Sequence, residues 1–587
     1  MASTARPHVS GRDDGGDRRP GRPRPHRARL WAAVSGVIAA GAFLAAAELA
    51  ALLVARDGSP ILAIGSFVID IVPQPVKEFA IATFGAYDKV VLLGSLGVAV
   101  VVASAIAGIL QLVRPPLGSI ALGVAGALSL AAILTRAGAT PLAWVPPVVG
   151  TVAGIVVLAL LVRRLRAWQA SARAADAAAS VAAIEDRAAV ERGVVMARAA
   201  ASLADAPPPT GAPPTDTAPT GDVSDGVTAR AGVDRRGFFA LAGIAAASAF
   251  VVGVGSRVVA ATTSSIDAIR SALRLPAPRT TVAVPAGAEL DLPGLSTLYT
   301  PNADFYRVDT ALTVPEVDPS TWRLVVDGMV GRRVELTFEQ LVAMGLDEYS
   351  ITLTCVSNEV GGDLLGTAKW IGVPVRDILR LAGPQAGADM VLSRSVDGFT
   401  ASTPLDALTD DGRDAILAVG MNGEPLPLEH GFPVRMVVPG LYGYVSATKW
   451  LTELKVTTFA ADEAYWTPRG YRARAPIKFS SRIDTPRSGT PVAAGTTVIA
   501  GMAWAQTVGI ERVEVRIDDG DWQAATLSAP VNADTWVQWY LEWDAAPGTH
   551  YVTARAVNRD GDVQVEERAP IAPDGSTGWQ RVLVTVA

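Results

Sequence analysis

Residues 351–370 read ITLTCVSNEVGGDLLGTAKW, and they contain Cys355, the only cysteine of the 587-residue chain. The run before this cysteine is rich in β-branched side chains and predicts a strand. Gly361 and Gly362 follow and predict a turn. A thiol at the end of a strand is well placed to face a pocket, although a lone cysteine is more often a small buried apolar side chain. A nucleophilic cysteine is the functional alternative, and it needs a base such as His430.

The composition excludes several kinds of cofactor and partner for this chain. One cysteine excludes internal disulfides, cysteine-rich zinc sites, a four-cysteine iron–sulfur cluster and a C-x-x-C-H haem site. None of the four histidines lies in an apolar segment, which excludes a bis-histidine haem inside a membrane. The net charge of −6 does not point to nucleic acid. We therefore expect no haem, no iron–sulfur cluster and no nucleic-acid partner, so redox chemistry would depend on Cys355 or on a bound cofactor.

The first part of the chain predicts a multi-pass membrane region. Residues 1–29 form an arginine-rich tail that is too polar to build a core and is predicted to be disordered. Four apolar runs are long enough to cross a bilayer, namely residues 30–54, 90–113, 117–135 and 144–162. Residues 59–84 are apolar but contain Pro73 and Pro75, which favours an interfacial or re-entrant segment over a full span. The positive charges of the tail and of RRLR at 163–166 place both on the cytoplasmic side.

Residues 164–234 are predicted to lie in the cytoplasm, and residues 235–260 to cross the membrane again. Residues 164–234 are an alanine-rich stretch that favours helix, followed by a linker rich in proline and threonine. Residues 235–260 begin with Arg235 and Arg236 before two phenylalanines and an apolar run, which resembles a twin-arginine export signal. An ordinary fifth span is the alternative. Both interpretations place the rest of the chain outside the cytoplasm.

The last part of the chain predicts a β domain. Val513 and Val515 alternate with Glu514, and a DDG turn follows. The run VQWYLEW, residues 537–543, places its first, third, fifth and seventh side chains on one face. Short strands with turns at this spacing predict an immunoglobulin-like sandwich over residues 476–587. A simple spacer sandwich is the alternative.

Three further stretches carry a family resemblance. They are TPNADFYRVDTALTVPEVDPSTWRLVVDGMV at 300–330, MNGEPLPLEHGFPVRMVVPGLYGYVSATKWLTELKV at 421–456 and YWTPRGY at 465–471. Together with TCVSNEVGG they resemble the sulfite-oxidase-like molybdopterin oxidoreductases over roughly residues 290–587. The resemblance implies an α+β molybdopterin domain at 285–460 and a C-terminal domain that mediates dimerisation. It also implies a molybdenum held by one pterin dithiolene and by the thiolate of Cys355, since coordination keeps a thiol deprotonated.

The resemblance also implies the surroundings of the cofactor. Cations suit the phosphate of the pterin, and a histidine supplies a hydrogen-bond donor or acceptor. The implied cofactor-binding residues are Asn302, Tyr306, Arg307, Asp397, His430, Arg435, Ala447, Thr448 and Lys449. Tyr471 is the implied substrate-side hydroxyl. The chain departs from sulfite oxidases at FYRVDTAL, where Arg307 is shifted by one position and no histidine follows, so fewer cations face a dianionic substrate.

We thus predict a multi-domain chain in the cell membrane with a cytoplasmic N-terminus. An α-helical region of about five spans, four of them in residues 30–163, precedes the molybdopterin domain and the β sandwich. Two-electron oxygen-atom transfer on a small molecule would occur outside the cytoplasm. Electrons would pass to a separate cytochrome or quinone-linked protein, and the partners would include membrane lipid and a second copy. The alternatives are a sulfoxide or N-oxide reductase with the same site and a cofactor-free membrane receptor.

Overall fold

The computed structural model describes residues 25–54, 88–134, 142–203, 239–240, 242–243, 266–311 and 313–587. The described residues form two compact units, one of N-terminal helices and one that contains residues 266–587. Several predicted features lie outside the described residues. These are most of the tail, the segment 59–84, the linker, and nearly all of the fifth span predicted at 235–260, with Arg235 and Arg236 of its export-like motif.

The described residues of the N-terminal unit form four long helices. They are α1 (Pro25–Val54), α2 (Asp88–Val113), α3 (Leu117–Leu134) and α4 (Val145–Leu203). Each is long and apolar enough to cross a membrane. The apolar part of α4 is continuous with the alanine-rich stretch, so one helix of 59 residues contains both.

Small residues let two of these helices approach each other closely. A Cβ atom on Gly36 of α1 would overlap the backbone carbonyl of Ser104 in α2. A Cβ on Gly108 would likewise overlap the carbonyl of Ala32. Close backbone packing at small residues is a usual way for apolar helices to associate in lipid. Outward-facing side chains such as Val98 remain largely exposed, as expected of a surface that lipid covers.

The second unit contains a mixed α and β domain. Its helices are α5 (Ile266–Ala272), α6 (Phe338–Ala343), α7 (Val375–Ala382), α8 (Leu405–Thr409) and α9 (Gly443–Ser446). Its strands are β1 (Arg323–Gly328), β2 (Val334–Thr337), β3 (Asp347–Thr354), β4 (Leu365–Pro374), β5 (Met390–Ser395), β6 (Thr400–Pro404), β7 (Ile416–Met421), β8 (Glu424–Pro425), β9 (Arg435–Val437) and β10 (Leu451–Thr457). Short 3-10 turns occur at Leu428–His430 and Thr467–Arg469.

Two sheets organise this domain. One has the order β2-β1-β10-β5-β6, and the other has the order β3-β4-β7-β8 with β9 paired to β7. Strands β3 and β4 form an antiparallel hairpin in which Thr354 lies opposite Leu365. Ile351, Leu353 and Trp370 of this hairpin are buried in the core of the second sheet. The buried strand therefore ends where the loop containing Cys355 begins.

The C-terminal domain is built from two four-stranded antiparallel sheets. Its strands are β11 (Ser480–Thr485), β12 (Gly495–Trp504), β13 (Ile510–Ile517), β14 (Gln523–Ala524), β15 (Thr526–Leu527), β16 (Val537–Ala545), β17 (Gly548–Asn558) and β18 (Gln580–Val586). The sheet orders are β11-β12-β16-β15 and β14-β13-β17-β18. Val513, Val515 and Trp539 are fully buried and share one core with side chains of both sheets, as their alternation predicts.

The C-terminal domain also packs against the β3–β4 hairpin. The Thr352 amide of β3 donates to the Asp534 carbonyl at 3.0 Å, and the Trp536 amide donates to the Thr352 hydroxyl at 2.9 Å. The Gln506 side chain donates to the Thr352 carbonyl at 2.6 Å. One edge of β3 is thus paired with β4, and residues of the C-terminal domain bind the other edge.

Candidate functional site

Cys355 is the first residue after β3 and is 8% exposed. Its amide donates to the Leu364 carbonyl at 2.9 Å, and its Sγ accepts from the Ser357 amide at 3.4 Å. Burial raises the pKa of the thiol, while the Ser357 hydrogen bonds and the charge of Lys449 act in the opposite direction. A thiolate at this position therefore needs a further stabilising partner, such as a metal ion.

Arg435 is a buried cation at the start of β9. Its side chain is 4% exposed, and its guanidinium lies 5.1 Å from the Trp370 ring. The guanidinium donates to backbone carbonyls of His430 at 3.2 Å and Ala447 at 3.5 Å. No carboxylate of the described residues pairs with it, and burial lowers its pKa to about 10. A buried guanidinium without a counter-ion is a site that favours an anionic ligand.

Lys449 is a second buried cation of the same site. Its Nζ donates to Asp309 Oδ2 at 3.1 Å and to the Glu429 carbonyl at 2.9 Å. Asp309 is almost fully buried, and it also accepts from Arg307 Nε at 2.9 Å. Burial lowers the pKa of Lys449 to about 8, and the Asp309 carboxylate opposes that shift. One buried carboxylate therefore partly neutralises two cations.

His430 ends the turn at Leu428–His430, and the charges of both cations act on it. Its Nε2 lies 3.2 Å from the Asn302 carbonyl, whereas its Nδ1 is buried and has no hydrogen-bond partner within the described residues. Burial and the nearby charges of Lys449 and Arg435 lower its pKa to about 3, so the imidazole is neutral at pH 7. An unpaired buried nitrogen is costly and indicates a missing partner.

Gly431 allows these side chains to converge. Its φ of +112° lies in the left-handed region that glycine adopts readily. A Cβ atom at this position would lie 3.0 Å from Arg435 Cβ and 3.2 Å from Lys449 Cα. The absence of a side chain therefore brings the turn of His430 against both cations.

Tyr306 and Asn302 reach the site from the segment before β1. Burial raises the pKa of the Tyr306 hydroxyl. The charge of Cys355 raises this pKa further, and the charge of Arg435 lowers it. Asn302 contributes its carbonyl to His430, but its amide group donates to Glu424 Oε1 at 2.7 Å. Asn302 thus holds the histidine, and its side chain is engaged with the β7–β8 turn.

Four other predicted residues make different contacts. Ala447 offers its carbonyl to Arg435, whereas the Thr448 hydroxyl lies 2.7 Å from Ser393 Oγ. Asp397 stabilises the β5–β6 turn by accepting from the Phe399 amide at 3.2 Å. Tyr471 is buried in an aromatic cluster with Tyr444 and Trp466, whose ring centroids lie 5.5 and 5.2 Å away. Asp397 therefore contacts its own turn, and Tyr471 packs among aromatic rings.

The donor set fits an anionic, thiolate-bound cofactor. Within the described residues Arg435 has no carboxylate partner and His430 Nδ1 has no hydrogen-bond partner. The charge of Lys449 acts on His430 and on the buried Cys355 thiol, and the charge of Arg435 acts on Lys449. Molybdenum binds sulfur ligands, and phosphate oxygens suit an arginine fork. No cluster of three or more histidine, cysteine, aspartate or glutamate side chains occurs within the described residues to hold a metal in another way. These residues therefore fit a molybdopterin, and Cys355 is the thiol in the described part of the chain that is available to its metal.

Comparison with known proteins agrees with this chemistry. Residues 311–466 match the oxidoreductase molybdopterin binding domain. The chain is 32% identical over 343 residues to the mitochondrial sulfite oxidase of Homo sapiens, covering 49% of this chain and 62% of that protein. It is 31% identical over 334 residues to the sulfite oxidase of Gallus gallus, covering 48% and 72%. The NADH nitrate reductase of Solanum lycopersicum is 29% identical over 291 residues, covering 39% and 32%.

The solved sulfane dehydrogenase SoxCD from Paracoccus pantotrophus is also similar, with a TM-score of 0.44 and 24% identity over 49% of this chain and 81% of that chain. The chain belongs to the sulfite-oxidase-like family of molybdopterin-dependent oxidoreductases. The family assignment of the sequence is thereby confirmed. The chain spans about three fifths of the length of the mammalian relatives that it matches.

One site residue escaped the sequence interpretation. Asp309 stands two positions after Arg307 in FYRVDTAL. The sequence pattern predicts a role for Arg307 and none for this carboxylate. Its partner Lys449 is 140 positions away, so only the folded chain shows the pair. The signal in the sequence is the acidic residue itself, placed where sulfite oxidases have a polar or basic run.

Proposed function

We propose that the chain is a membrane-anchored molybdenum oxidoreductase that exchanges an oxygen atom between a small substrate and water outside the cytoplasm. In the oxidising direction, substrate and water give the oxygenated product, two protons and two electrons. The proposal rests on the convergence of Arg435, Lys449 and the unpaired Nδ1 of His430 near Cys355. Sulfite is the substrate class that the names of the relatives suggest.

The residues of the site divide the work of holding the cofactor. Cys355 would supply the thiolate ligand, and Arg435 and Lys449 would bind the anionic groups of the pterin. His430 is neutral at pH 7 and donates through Nε2 to the Asn302 carbonyl, so its Nδ1 would accept a hydrogen bond from the pterin. Tyr306 would donate a hydrogen bond through its hydroxyl, which is protonated at pH 7 and whose pKa burial raises further. When bound, molybdenum supplies a centre that accepts or donates two electrons.

The other predicted residues would hold these cofactor-binding side chains in place or contact the substrate. Arg307, through Asp309, would hold Lys449 in place. The carbonyls of Asn302 and Ala447 hold His430 and Arg435, and Thr448 would fix the strand edge through Ser393. Asp397 would shape the neighbouring turn. Tyr471 would contact the substrate, with Tyr444 and Trp466 packed against its ring.

The rest of the molecule supports the proposed location. Four helices apolar enough to cross a membrane precede the domain. We place the N-terminus in the cytoplasm and the catalytic domain on the opposite side of the cell membrane, with the immunoglobulin-like sandwich as a dimerisation surface. Released electrons would pass singly to a cytochrome or quinone-linked protein, since Cys355 is the only cysteine of the chain and a second redox centre is not expected.

Metal and pterin content tests the proposal. We would purify the full chain in detergent from a host that makes molybdopterin and measure molybdenum and pterin per protein. Near-stoichiometric amounts of both are expected. A folded chain that contains neither would contradict the proposal and favour a cofactor-free receptor.

A reductase of uncharged sulfoxides or N-oxides is the second candidate, and Asp309 is the observation that favours it. Asp309 is buried against Lys449 and Arg307 and offsets part of the positive charge of the site, which favours a neutral substrate over a dianionic sulfite. In this direction the S-oxide, two protons and two electrons give the sulfide and water. The same site then serves a neutral substrate better than an anionic one.

Substrate preference separates the two candidates. We would compare kcat/KM for sulfite with a dye acceptor and for dimethyl sulfoxide with a reduced dye. If the site suits neutral substrates, Asp309→Asn raises kcat/KM for sulfite about tenfold and changes that for dimethyl sulfoxide less than about twofold. Asp411→Asn, at an exposed carboxylate, is the matched control. A wild-type enzyme that strongly prefers sulfite, with no gain in the Asp309 variant, would exclude the second candidate.

A further inference from the structure

The loop that carries Cys355 is closed by its own hydrogen bonds. Residues 355–364 connect β3 to β4, and the Leu364 amide donates to Asn358 Oδ1 at 2.9 Å. The Asn358 amide donates in turn to the Cys355 carbonyl at 3.1 Å. Displacing the backbone of Asn358 would therefore displace the backbone of the thiol residue as well.

Three side chains of the C-terminal domain contact this loop. The Ser576 hydroxyl donates to the Asn358 carbonyl at 2.7 Å, and Arg482 Nη1 donates to the Gly362 carbonyl at 3.1 Å. The Gln580 side chain packs against Gly361, where a Cβ atom would lie 2.7 Å from Gln580 Nε2. These partners come from β11, β18 and the segment before β18. The loop is therefore bound at three successive points.

Arg482 is itself rigidly held. Its Nε donates to Asp484 Oδ1 at 2.6 Å and its Nη2 to Asp484 Oδ2 at 3.3 Å, so the pair is bidentate. A further bond from Nη2 reaches the Ser296 hydroxyl at 2.8 Å. Both members of the pair are more than nine-tenths buried. A fork fixed in this way leaves little freedom to the carbonyl that it binds.

The strand before the thiol is bound by the same domain. Thr352 lies three positions before Cys355, and its amide, hydroxyl and carbonyl all bond to residues of the C-terminal domain. The thiol therefore lies between two backbone segments that the β sandwich holds. A domain that served only for dimerisation would not need such contacts.

We propose that the C-terminal β domain positions the Cys355 thiol through Ser576 and Arg482. In this view the domain is part of the active site, and its two side chains are positioning residues. The inference deepens the proposed function, because a thiol that binds a metal needs a fixed geometry. The contacts themselves exist whether or not the metal is molybdenum.

Thiol reactivity measures this positioning directly, because Cys355 is the only cysteine of the chain. We would follow the reaction of the full chain, made without pterin, with an aromatic disulfide reagent. Ser576→Ala should raise the rate about three- to tenfold, since a lost hydrogen bond makes local opening of the loop easier. Ser576→Thr, which keeps the hydroxyl, should restore a near wild-type rate. Arg482→Lys should raise the rate further when combined with Ser576→Ala.

The control removes a neighbouring hydroxyl that does not touch the loop. Thr577 donates to the Glu567 carbonyl at 2.7 Å within its own domain, so Thr577→Val should leave the rate unchanged. Repeating the measurement in low urea separates local opening from global unfolding, because only global unfolding depends strongly on urea. Equal rates in wild type, Ser576→Ala and the Arg482 double variant would overturn the inference. So would a rise that Thr577→Val reproduces.

The loaded protein gives a second and independent readout. If Ser576 positions the ligand, the sulfur-to-metal absorption of the molybdenum centre should shift in Ser576→Ala at unchanged metal content. An unchanged spectrum together with an unchanged thiol rate would contradict the positioning role. Absence of molybdenum from every variant would contradict the proposed function alone, since the thiol rates would still decide the positioning.

Discussion

Arg435 carries a buried positive charge, and removing this charge from water costs free energy. It is buried, and the described residues offer it no carboxylate partner. Replacing a buried unpaired charge with an apolar side chain relieves a desolvation penalty. The same charge is useful only when an anion is bound. Stability without cofactor and affinity for cofactor should therefore change in opposite directions when this residue is replaced.

Arg435→Met tests that opposition. We expect the cofactor-free chain to gain about 1–3 kcal/mol in free energy of unfolding. Pterin retained after purification should fall about tenfold or more, because a charge-assisted hydrogen bond is lost. The measurements are thermal or urea unfolding and pterin content. Arg394→Met, which breaks the pair with Glu453, is the control. Loss of stability without loss of pterin would show that Arg435 is structural.

His430 predicts a pH dependence of stability. Its pKa is lowered to about 3 in the folded chain, against 6.5 for a free imidazole, so the unfolded chain binds the proton first. The stability that His430 contributes is complete above pH 6.5 and is lost as the pH falls toward 3, at up to about 1.4 kcal/mol per pH unit. His430→Gln should reduce the slope of unfolding free energy against pH by this amount. Identical slopes in both proteins would contradict the assignment.

At the same scale, the sequence predicted some residues and missed others for physical reasons. Cys355, His430, Arg435 and Lys449 stand in ordered strings that resemble a family, and the structure brings all four to one site. Asp309 was missed because its function depends on a contact across 140 positions. A hydrogen bond within its turn decides the surroundings of Asp397, and aromatic neighbours decide those of Tyr471. Neither set of partners can be read from residue type.

At the scale of elements, the turn of His430 depends on one glycine. Gly431 has a φ of +112° and lies against Arg435 and Lys449, whereas Gly423 has a φ of +85° and open space around it. Gly431→Ala and Gly423→Ala therefore share the backbone strain, but only the first adds a steric overlap. We expect both to destabilise the chain by about 1 kcal/mol or more, and Gly431→Ala by about 1–3 kcal/mol further.

Urea unfolding of the two variants provides that comparison. Pterin content should also fall in Gly431→Ala and remain normal in Gly423→Ala. Equal losses of stability in both would mean that the turn adjusts without displacing the cations.

Strand β3 and its turn were predictable, because alternation and paired glycines are local signals. The partners of the Cys355 loop were not, because Arg482 and Ser576 lie 120 and 218 positions from the loop residues that they bind. Strand order has the same limit. Parallel pairing of β1 with β10 joins the two ends of the domain, and neither strand shows it alone.

At the scale of the whole molecule, apolar length was the reliable signal. The four predicted apolar runs correspond to the four helices of the described residues that are long and apolar enough to cross a membrane. Side-chain charge then assigns the ends of the helices to the two sides of the membrane, and that assignment remains a proposal.

Labelling of single cysteines tests the proposed topology. In a Cys355→Ser background we would compare Ser180→Cys, on the exposed second half of α4, with Ser488→Cys, on the exposed loop after β11. In intact cells a membrane-impermeant maleimide should label the Ser488 variant only. Broken cells should label both and serve as the control. Labelling of Ser180→Cys alone in intact cells would invert the proposed orientation.

The sulfur coordination of molybdenum tests the central claim most directly. We would record molybdenum X-ray absorption of the loaded full chain and of Cys355→Ser. The account predicts one sulfur neighbour fewer in the variant, with the pterin retained in part through Arg435 and Lys449. The same number of sulfur neighbours in both proteins would contradict the assignment of Cys355 as the metal ligand.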